Sequence, residues 1–323
     1  MPPGPVLILG ATGAFGGAVA LALIERGEAI RVFSRDGVKA RLRLGDARSV
    51  DIVEGDVQDL DALVGAAQGC RAIVDGINYP YHRWVPHMAR ATANVIAAAR
   101  RAGATILFPG NVFGLGRQTD GPLDETAPNK PSSRKGSVRV QMEQALSRAA
   151  SESGPRVIVL RAGDYFGPTV RNWSVDLIFR NAARGRPMRI LGRPDVTHQW
   201  AYAPDLARLG LALLDLDHGL APFEVVHFKG TVAWPMEDFL RQVARLAGHP
   251  DLRLKTTPWP LLYLAGTLYP AFMELLEIRY LWKESVIIDD TRRRQLLPDF
   301  QPTPIETAIE ATLESYRAEA IKP

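Results

Sequence analysis

The stretch that decides the fold is Gly10-Ala-Thr-Gly13-Ala-Phe-Gly16, which lies between an apolar run, Pro5-Val-Leu-Ile-Leu9, and a helical pattern, Ala18-Val-Ala-Leu-Ala-Leu-Ile24. A strand, a glycine-rich turn and a helix in that order form a cradle for a pyrophosphate group. The first glycine allows the tight turn, the second lets the backbone approach the phosphates, and the third lets the helix lie close to the strand. The N–H groups at the start of the helix then face the anion.

The spacing of these three glycines differs from the most common dinucleotide-binding motif. They recur every three residues, whereas the widespread dinucleotide fingerprint is G-x-G-x-x-G. Glycine-rich turns also occur where a strand meets a helix and nothing binds, but here both flanks have the pattern that dinucleotide binding requires. We therefore expect a bound dinucleotide that is held by Gly10, Thr12, Gly13, Ala14, Phe15 and Gly16.

Composition places the chain among soluble globular proteins. It has 323 residues, of which 46% are hydrophobic and 23% are charged, and its net charge is +4. This length allows two domains. Because the basic residues are spread along the chain, we expect no nucleic-acid partner. The single cysteine, Cys70, excludes an internal disulfide, cannot form a thiolate metal site alone and favours a reduced, cytoplasmic location.

Membrane insertion and metal binding also find no support in the sequence. The chain enters its first predicted strand within five residues, which leaves no room for a signal peptide. The most apolar stretch, residues 259–282, is interrupted by Pro260, Gly266 and Pro270. This favours a buried pair of helices over a transmembrane or interfacial segment. No spacing of histidine, cysteine and carboxylate residues predicts a metal site.

Short β-branched runs alternate with helical patterns in the first half of the chain. The predicted strands after the first cover residues 29–33, 50–53, 71–75, 104–108 and 156–160, and the predicted helices cover 60–67, 85–102 and 133–151. This alternation predicts an α/β fold, a Rossmann-type doubly wound parallel sheet with helices on both faces. Ligands of such sheets bind outside the carboxyl ends of the strands. Residues 114–131, rich in glycine and proline, are expected to form a long surface connection.

The order is less regular beyond Pro168. Helical patterns near 175–184, 205–216, 236–247 and 305–318 are mixed with a short strand at 224–228. We expect residues 1–168 to form the dinucleotide-binding Rossmann domain. Residues 169–323 would form a smaller C-terminal substrate-binding domain, and part of 196–230 would return to the first domain.

The end of the second predicted strand indicates which dinucleotide is bound. An Asp or Glu there would hydrogen-bond the adenosine ribose and repel a 2′-phosphate, whereas this chain has Ser34 and Arg35. A hydroxyl followed by a guanidinium accommodates the extra phosphate, so we expect NADP rather than NAD. The alternative is that Arg35 is an ordinary surface arginine. Asp56 and Val57 are placed beside the adenine, although Gly55-Asp56 is also compatible with a simple turn.

Together these features resemble the extended short-chain dehydrogenase/reductase superfamily, specifically its NAD-dependent epimerase/dehydratase branch. The resemblance covers most of the chain and rests on Gly10-Ala-Thr-Gly13-Ala-Phe-Gly16, Gly55-Asp56-Val57, Asn111-Val-Phe-Gly114, Arg161-Ala-Gly-Asp-Tyr-Phe-Gly-Pro168 and Ala201-Tyr-Ala-Pro-Asp205. The fourth stretch is similar to the family's Arg-Pro-x-Asn-x-Tyr-Gly-Pro, whose start lies near the nicotinamide, with Asp164 in place of Asn. Further coenzyme contacts are expected from residues that follow the fourth to sixth strands: Gly76, Ile77, Asn78, Pro109, Ala162 and Asp164.

The catalytic pattern of that family is absent. The family uses a Ser or Thr after the fifth strand and Tyr-x-x-x-Lys on the next helix, where the tyrosine exchanges a proton with the substrate and the lysine lowers its pKa and holds the nicotinamide ribose. Here Lys135 replaces the tyrosine, Arg139 replaces the lysine, and Phe108-Pro109-Gly110-Asn111 contains no serine. We expect Arg139 to contact the ribose, Lys135 to exchange the proton and Asn111 to bind a carbonyl oxygen. The alternative is that both cations are solvated on a protein that binds coenzyme without turnover.

Tyrosines provide further candidate proton donors. Tyr165 lies in the motif after the sixth strand, and Tyr79 and Tyr81 follow the fourth strand. Aromatic packing that anchors a loop is the simpler explanation for Tyr79 and Tyr81. The single histidines His87 and His198 are interpreted as structural.

The sequence therefore predicts an atypical NADP(H)-dependent oxidoreductase that transfers a hydride to or from a small carbonyl or alcohol substrate. A sugar-nucleotide epimerase or dehydratase is a second enzymatic hypothesis, but its transient oxidation normally needs the missing tyrosine. A coenzyme-binding sensor without chemistry is a third. The expected partners are a small-molecule substrate and, as the resemblance implies, a second copy of the chain in a homodimer. Neither nucleic acid nor a membrane is expected as a partner.

Overall fold

Strands and helices alternate along the chain. The computed structural model describes residues 4–216, 219–266, 273 and 276–321. Its strands are β1 (Val6–Leu9), β2 (Ile30–Ser34), β3 (Val50–Glu54), β4 (Ala72–Asp75), β5 (Thr105–Asn111), β6 (Val157–Ala162), β7 (Asp164–Phe166), β8 (Met188–Ile190), β9 (Thr197–Tyr202), β10 (Phe223–Phe228), β11 (Val232–Pro235) and β12 (Leu254–Thr256). Its helices are α1 (Ala14–Glu25), α2 (Gly37–Leu44), α3 (Leu60–Ala67), α4 (Trp84–Ala102), α5 (Arg134–Ser151), α6 (three consecutive segments, Trp173–Val175, Asp176–Arg180 and Asn181–Ala183), α7 (Ala203–Leu214), α8 (Met236–Leu246), α9 (Trp259–Gly266), α10 (Thr291–Leu296) and α11 (Ile305–Ile321). Short 3₁₀ turns are formed by Tyr81–Arg83, Phe113–Leu115 and Arg279–Trp282.

Seven of these strands form the central sheet. Their order is β10-β6-β5-β4-β1-β2-β3, and every neighbouring pair is parallel. β1 lies in the middle, with Val6 opposite both Ile30 and Ala72. Because the strand order reverses between β1 and β4, a crevice for a ligand opens at the carboxyl ends of these two strands. The prediction of a Rossmann-type doubly wound parallel sheet is confirmed.

The central strands are apolar because helices cover them. Every residue of β1 and β6 is buried, as expected of strands between two helical layers. In one layer α1 packs against α7, and in another α3, α4 and α5 pack side by side. Within the part of the chain that the structure describes, every helix is too short or too polar to span a lipid bilayer.

Two smaller sheets, β7-β9-β11 and β8-β12, form much of the remaining chain. A cluster of buried aromatic rings packs β7 and β9 against α6 and α8. The ring of Phe166 on β7 lies 5.8 Å from that of Phe179 and 5.7 Å from that of Phe239, between centroids. Trp200 on β9 stacks on Phe239 at 4.9 Å. β10, which lies within residues 196–230, pairs with β6 at the edge of the central sheet.

The observed elements differ from the predicted ones mainly in the short pieces. The longer predicted helices and strands are present with small shifts at their ends, but the pattern did not show α2 or the strands β7, β8, β9, β11 and β12. Residues 114–116, at the start of the expected surface connection, are buried. The helix pair expected at 259–282 falls partly on residues 267–272, 274 and 275, which lie outside the described residues.

A buried carboxylate ties α7 to two distant segments. Asp205 is fully buried and accepts hydrogen bonds from the amide of Thr303 at 2.9 Å, the hydroxyl of Thr303 at 2.6 Å and the hydroxyl of Thr231 at 3.1 Å. We expect Asp205→Ala to lower the free energy of unfolding by roughly 3 kcal/mol, because these donors would lose their acceptor in the interior. Urea denaturation measures this loss. Asp251→Ala, at an exposed turn, is the control, and an equal loss in both variants would contradict the assignment.

The junction of β1 and α1 depends on close backbone contact. A Cβ on Gly16 would lie 2.5 Å from the carbonyl oxygen of Gly10 and 3.0 Å from that of Leu9. We expect Gly16→Ala to destabilise the fold by about 2 kcal/mol, because backbone atoms cannot rotate away from the added methyl group. On α3, Gly65 has open space around its Cα, so Gly65→Ala should raise the free energy of unfolding by about 0.5 kcal/mol or more. Chemical denaturation of both variants tests the difference in sign, and two changes of the same sign would refute it.

Candidate functional site

The crevice at the carboxyl ends of β1, β2 and β4 contains two adjoining cavities. The first has a volume of about 460 Å³. It brings together residues predicted to hold the coenzyme: Gly10, Thr12, Gly13, Ser34, Arg35, Asp56, Val57, Gly76, Ile77 and Asn78. Asp36, Lys39 and Tyr79 also line this cavity, and sequence reasoning did not assign them to the coenzyme.

Backbone geometry shapes the phosphate end of the first cavity. Gly10 has a φ of +71°, and a Cβ on it would lie 2.2 Å from the carbonyl oxygen of Gly76. The amide of Gly13 donates to the carbonyl oxygen of Gly10 at 2.9 Å, which closes the turn before α1 begins at Ala14. Among the described residues no side chain caps the N-terminus of α1, so the N–H groups of its first turn are available to a ligand at the cavity. This arrangement fits a pyrophosphate.

The adenosine end of the first cavity presents two cations. Arg35 is exposed and its guanidinium lies 5.9 Å from the ring centre of Tyr79. Lys39 is exposed on the first turns of α2. The carboxylate of Asp36 accepts a hydrogen bond from the amide of Lys39 at 2.8 Å, so it caps α2. Ser34 Oγ donates to the carbonyl oxygen of Asp36 at 3.0 Å.

The second cavity, of about 310 Å³, continues from the first, because Gly13, Gly76, Ile77 and Asn78 line both. It contains the other residues predicted for the coenzyme or for catalysis, apart from Gly16 and Lys135: Ala14, Phe15, Pro109, Asn111, Arg139, Ala162, Asp164 and Tyr165. Sequence reasoning missed several further lining residues: Trp84, Phe113, Val170, Arg171 and Asn172. Gly16 instead packs behind the turn, against Gly10.

Arg139 lies in the wall of the second cavity. Its guanidinium carbon is 4.8 Å from the ring centre of Trp84 and 5.3 Å from that of Phe108, and Nη1 donates to the carbonyl oxygen of Pro109 at 3.3 Å. Burial lowers the pKa of Arg139, but a guanidinium keeps its charge in proteins. Its Nε is buried and finds no hydrogen-bond partner among the described residues. A ligand oxygen in the cavity would satisfy this donor.

Lys135 has a different environment, although it is on the same helix. Its Nζ donates to Glu277 Oε2 at 2.6 Å, and its backbone amide donates to Glu277 Oε1 at 3.2 Å. Only 3% of the side chain is exposed, and Nζ lies 5.0 Å from the ring centre of Tyr81. Among the described residues, the linings of the two cavities do not include Lys135. Proton exchange by Lys135 remains a prediction that these contacts do not test.

Two phenols face the second cavity. The hydroxyl of Tyr165 donates to the carbonyl oxygen of Gly110 at 3.2 Å. Burial raises the pKa of Tyr165 to about 12, against the opposing charge of Arg139. Burial and the charge of Asp164 likewise raise the pKa of Tyr81 to about 12. Both phenols therefore hold their protons at neutral pH.

Asp164 is the acidic group of this cavity. Its Oδ2 accepts hydrogen bonds from His198 Nε2 at 3.0 Å and from Trp282 Nε1 at 3.0 Å. Burial alone would raise the pKa of Asp164, but the hydrogen bond and charge of His198, with the bond from Trp282, hold it below its usual range. Asn111, expected to bind a carbonyl oxygen, lines the cavity and accepts from the amide of Phe113 through Oδ1 at 3.0 Å.

Asp75 is a further titratable group beside the site that sequence reasoning missed. It ends β4 and is buried, and burial raises its pKa to about 6. A hydrogen bond from the amide of Ile77 and the charge of Arg139 act in the opposite direction. A carboxylate at the end of an otherwise apolar strand is the signal that could have identified it. No group of three histidine, cysteine or acidic side chains suited to a metal occurs among the described residues.

Many solved structures have this fold, and three illustrate the match. WbmH of Bordetella bronchiseptica, in complex with NAD+, is 17% identical, with 98% of this chain and 99% of that chain covered and a TM-score of 0.76. The UDP-glucose 4-epimerase of Thermotoga maritima, with UDP-glucose, is 17% identical, with 98% and 99% covered and a TM-score of 0.77. DesIV, the dTDP-glucose 4,6-dehydratase of Streptomyces venezuelae with NAD bound, is 17% identical, with 97% of each chain covered and a TM-score of 0.76. At these identities the likeness establishes the fold alone.

Sequence comparison identifies the family. No curated protein matches the chain significantly. The sequence model of the NAD dependent epimerase/dehydratase family matches residues 6–226, which run from β1 into β10 and include every residue that lines the two cavities. The match covers more than half of the chain and agrees with the resemblance seen in the motifs. The chain belongs to the NAD dependent epimerase/dehydratase family.

Proposed function

We propose that this protein binds NADP(H) and reduces a carbonyl compound. The observation that carries the proposal is the second cavity, where the protonated phenol of Tyr165 lies near the fixed cation of Arg139. When bound, the reduced coenzyme supplies a hydride to the carbonyl carbon. Tyr165 Oη would give its proton to the carbonyl oxygen, and solvent would later return a proton to the phenolate.

The chain's own residues fit a nicotinamide dinucleotide. The glycine turn leaves N–H groups available for the pyrophosphate, and the first cavity is long enough to reach the end of β2. In the second cavity, the unpaired Nε of Arg139 suits a ribose hydroxyl, which is the role expected from its position four residues after Lys135. An arginine in this place holds its charge at every physiological pH.

The preference for NADP rests on the charges at the adenosine end. WbmH and DesIV were each solved with NAD. In this chain, however, Arg35 and Lys39 present two cations near the end of β2, and Asp36 is engaged as the cap of α2. A 2′-phosphate would meet charged donors from both side chains there.

The protonation of the phenols supports reduction over epimerisation. A reductase needs a group that still carries its proton when hydride is transferred. An epimerase that first oxidises a sugar hydroxyl needs a base to take the hydroxyl proton. Tyr81 and Tyr165 both have a pKa of about 12, so neither is a base at neutral pH. The three neighbours named above include a UDP-glucose 4-epimerase, which keeps sugar-nucleotide chemistry as the second candidate.

We expect Arg35 to determine the preference for NADPH over NADH. We expect Arg35→Ser to weaken NADPH binding by about tenfold or more and to leave NADH binding unchanged, because the loss removes a charge-assisted hydrogen bond to the 2′-phosphate. Isothermal titration with both coenzymes measures this. Arg41→Ser, an exposed arginine on α2 that pairs with Asp46, is the matched control. Equal affinity of the wild type for NADH and NADPH would contradict the preference.

We expect Tyr165 to be the residue that gives the proton to the substrate carbonyl oxygen. Tyr165→Phe is expected to lower kcat about 100-fold with little change in KM for NADPH, because the general acid is lost while the coenzyme contacts remain. Tyr81→Phe makes the same change in the same cavity and should cost less than about tenfold. A large loss in Tyr81→Phe or Lys135→Met, with Tyr165→Phe unaffected, would move the donor to that other residue.

The reaction itself can be screened with the purified protein. NADPH oxidation is followed by absorbance with ketones, aldehydes and quinones, and conversion of UDP-glucose with NAD is assayed in parallel. Turnover of a carbonyl compound is the expected result. Tight NADPH binding with no turnover of any compound would contradict the reductase proposal and favour a coenzyme-binding sensor. Conversion of UDP-glucose would instead favour an epimerase.

A further inference from the structure

The carboxylate of Asp164 is a fixed feature of the second cavity. Its side chain is 29% exposed, and it lines the cavity beside Tyr165. His198 on β9 and Trp282 in the turn Arg279–Trp282 both donate to Oδ2, each at 3.0 Å. Because two donors from distant segments hold one oxygen, the carboxylate cannot turn out of the cavity without breaking both bonds.

No Lys or Arg side chain among the described residues forms an ion pair with Asp164. Within the described residues, His198 is the only basic side chain less than 4 Å from its carboxylate. Arg171 also lines the cavity, but its Nε donates to Glu319 Oε1 at 2.7 Å and its guanidinium lies 3.9 Å from the ring centre of Tyr316. Arg139 lies between two aromatic rings and donates to a backbone carbonyl.

The field of Asp164 reaches the place where a substrate would react. Asp164, Tyr81 and Tyr165 line the same cavity, and the charge of Asp164 raises the pKa of both phenols. The buried apolar side chains of Trp84, Phe113 and Val170 line the same cavity. Apolar walls exclude water and strengthen the interaction between charges.

We propose that Asp164 selects the substrate by charge and by hydrogen bonding. The second cavity would take an uncharged carbonyl compound that offers a hydroxyl or N–H group to the carboxylate of Asp164, and would reject compounds with a negative charge near the carbonyl. The proposal rests on the function proposed above in placing the substrate carbonyl beside Tyr165. A second negative charge held near this carboxylate in a partly buried site weakens binding by roughly tenfold or more.

Binding of two unreactive probes to the NADPH complex tests this selection. Benzyl alcohol is neutral and carries a hydroxyl donor, benzoate is an anion of similar size, and NADPH reduces neither. At pH 8, calorimetric titration should show benzyl alcohol binding at least about tenfold more tightly than benzoate in the wild type. Asp164→Asn should reduce this ratio to less than about threefold. Asp251→Asn, an isosteric change at an exposed turn, should leave the ratio unchanged.

The outcomes separate this proposal from the reductase proposal, because binding requires no turnover. Failure of every carbonyl compound to oxidise NADPH refutes the reductase, while a preference for the neutral probe still supports selection by Asp164. No preference in the wild type, whether both probes bind equally or neither binds at its solubility limit, overturns the selection. The wild-type comparison decides this even if Asp164→Asn does not fold. A folded variant, with an unchanged melting temperature, that keeps the wild-type ratio overturns it as well.

Discussion

Close backbone contact among three glycines is the constraint on which the rest of the structure depends. A Cβ on Gly10 would lie 2.2 Å from the carbonyl oxygen of Gly76, and one on Gly16 would lie 2.5 Å from the carbonyl oxygen of Gly10. A Cβ on Gly76 would lie 2.7 Å from the carbonyl oxygen of Leu9. These contacts bring the turn after β1, the start of α1 and the turn after β4 to van der Waals distance at the point where the strand order reverses. Of these three glycines, Gly76 lines both cavities, so the contact fixes the place where the two cavities meet.

The fold and the cavity beside the glycine turn could be predicted because both are encoded locally. A strand buried on both faces is an unbroken apolar run, and the phosphate cradle is a turn of seven residues. The short strands β7, β8 and β12 could not be predicted, because three residues carry no periodicity and their pairing depends on distant segments. α2 was missed because Gly37–Leu44 is rich in arginine and lysine, although Asp36, which caps it, is a recognisable start signal.

The reacting half of the site was less predictable for the same physical reason. The partner of Lys135 is Glu277, 142 positions away, and the partners of Asp164 lie 34 and 118 positions away. No local pattern records such pairs. The spacing of Lys135 and Arg139 predicted one face of one helix, and it suggested that the two cations would share an environment. Packing against other segments separates them, since Glu277 holds Lys135 while aromatic rings hold Arg139 in the cavity wall.

The different surroundings of these two cations show how a member of this family can lack Tyr-x-x-x-Lys and still have a cation in the wall of the second cavity. A planar guanidinium can lie between Trp84 and Phe108 and still direct an N–H group into the cavity, whereas a compact ammonium needs a carboxylate or water around it when buried. The charge of Arg139 therefore lowers the pKa of Tyr165, and the charge of Asp164 raises it. Burial raises the pKa of both phenols by more than the charge of Arg139 lowers it, so the phenols stay protonated. Protonated phenols beside a fixed cation can give a proton, and the proposed reduction depends on that property.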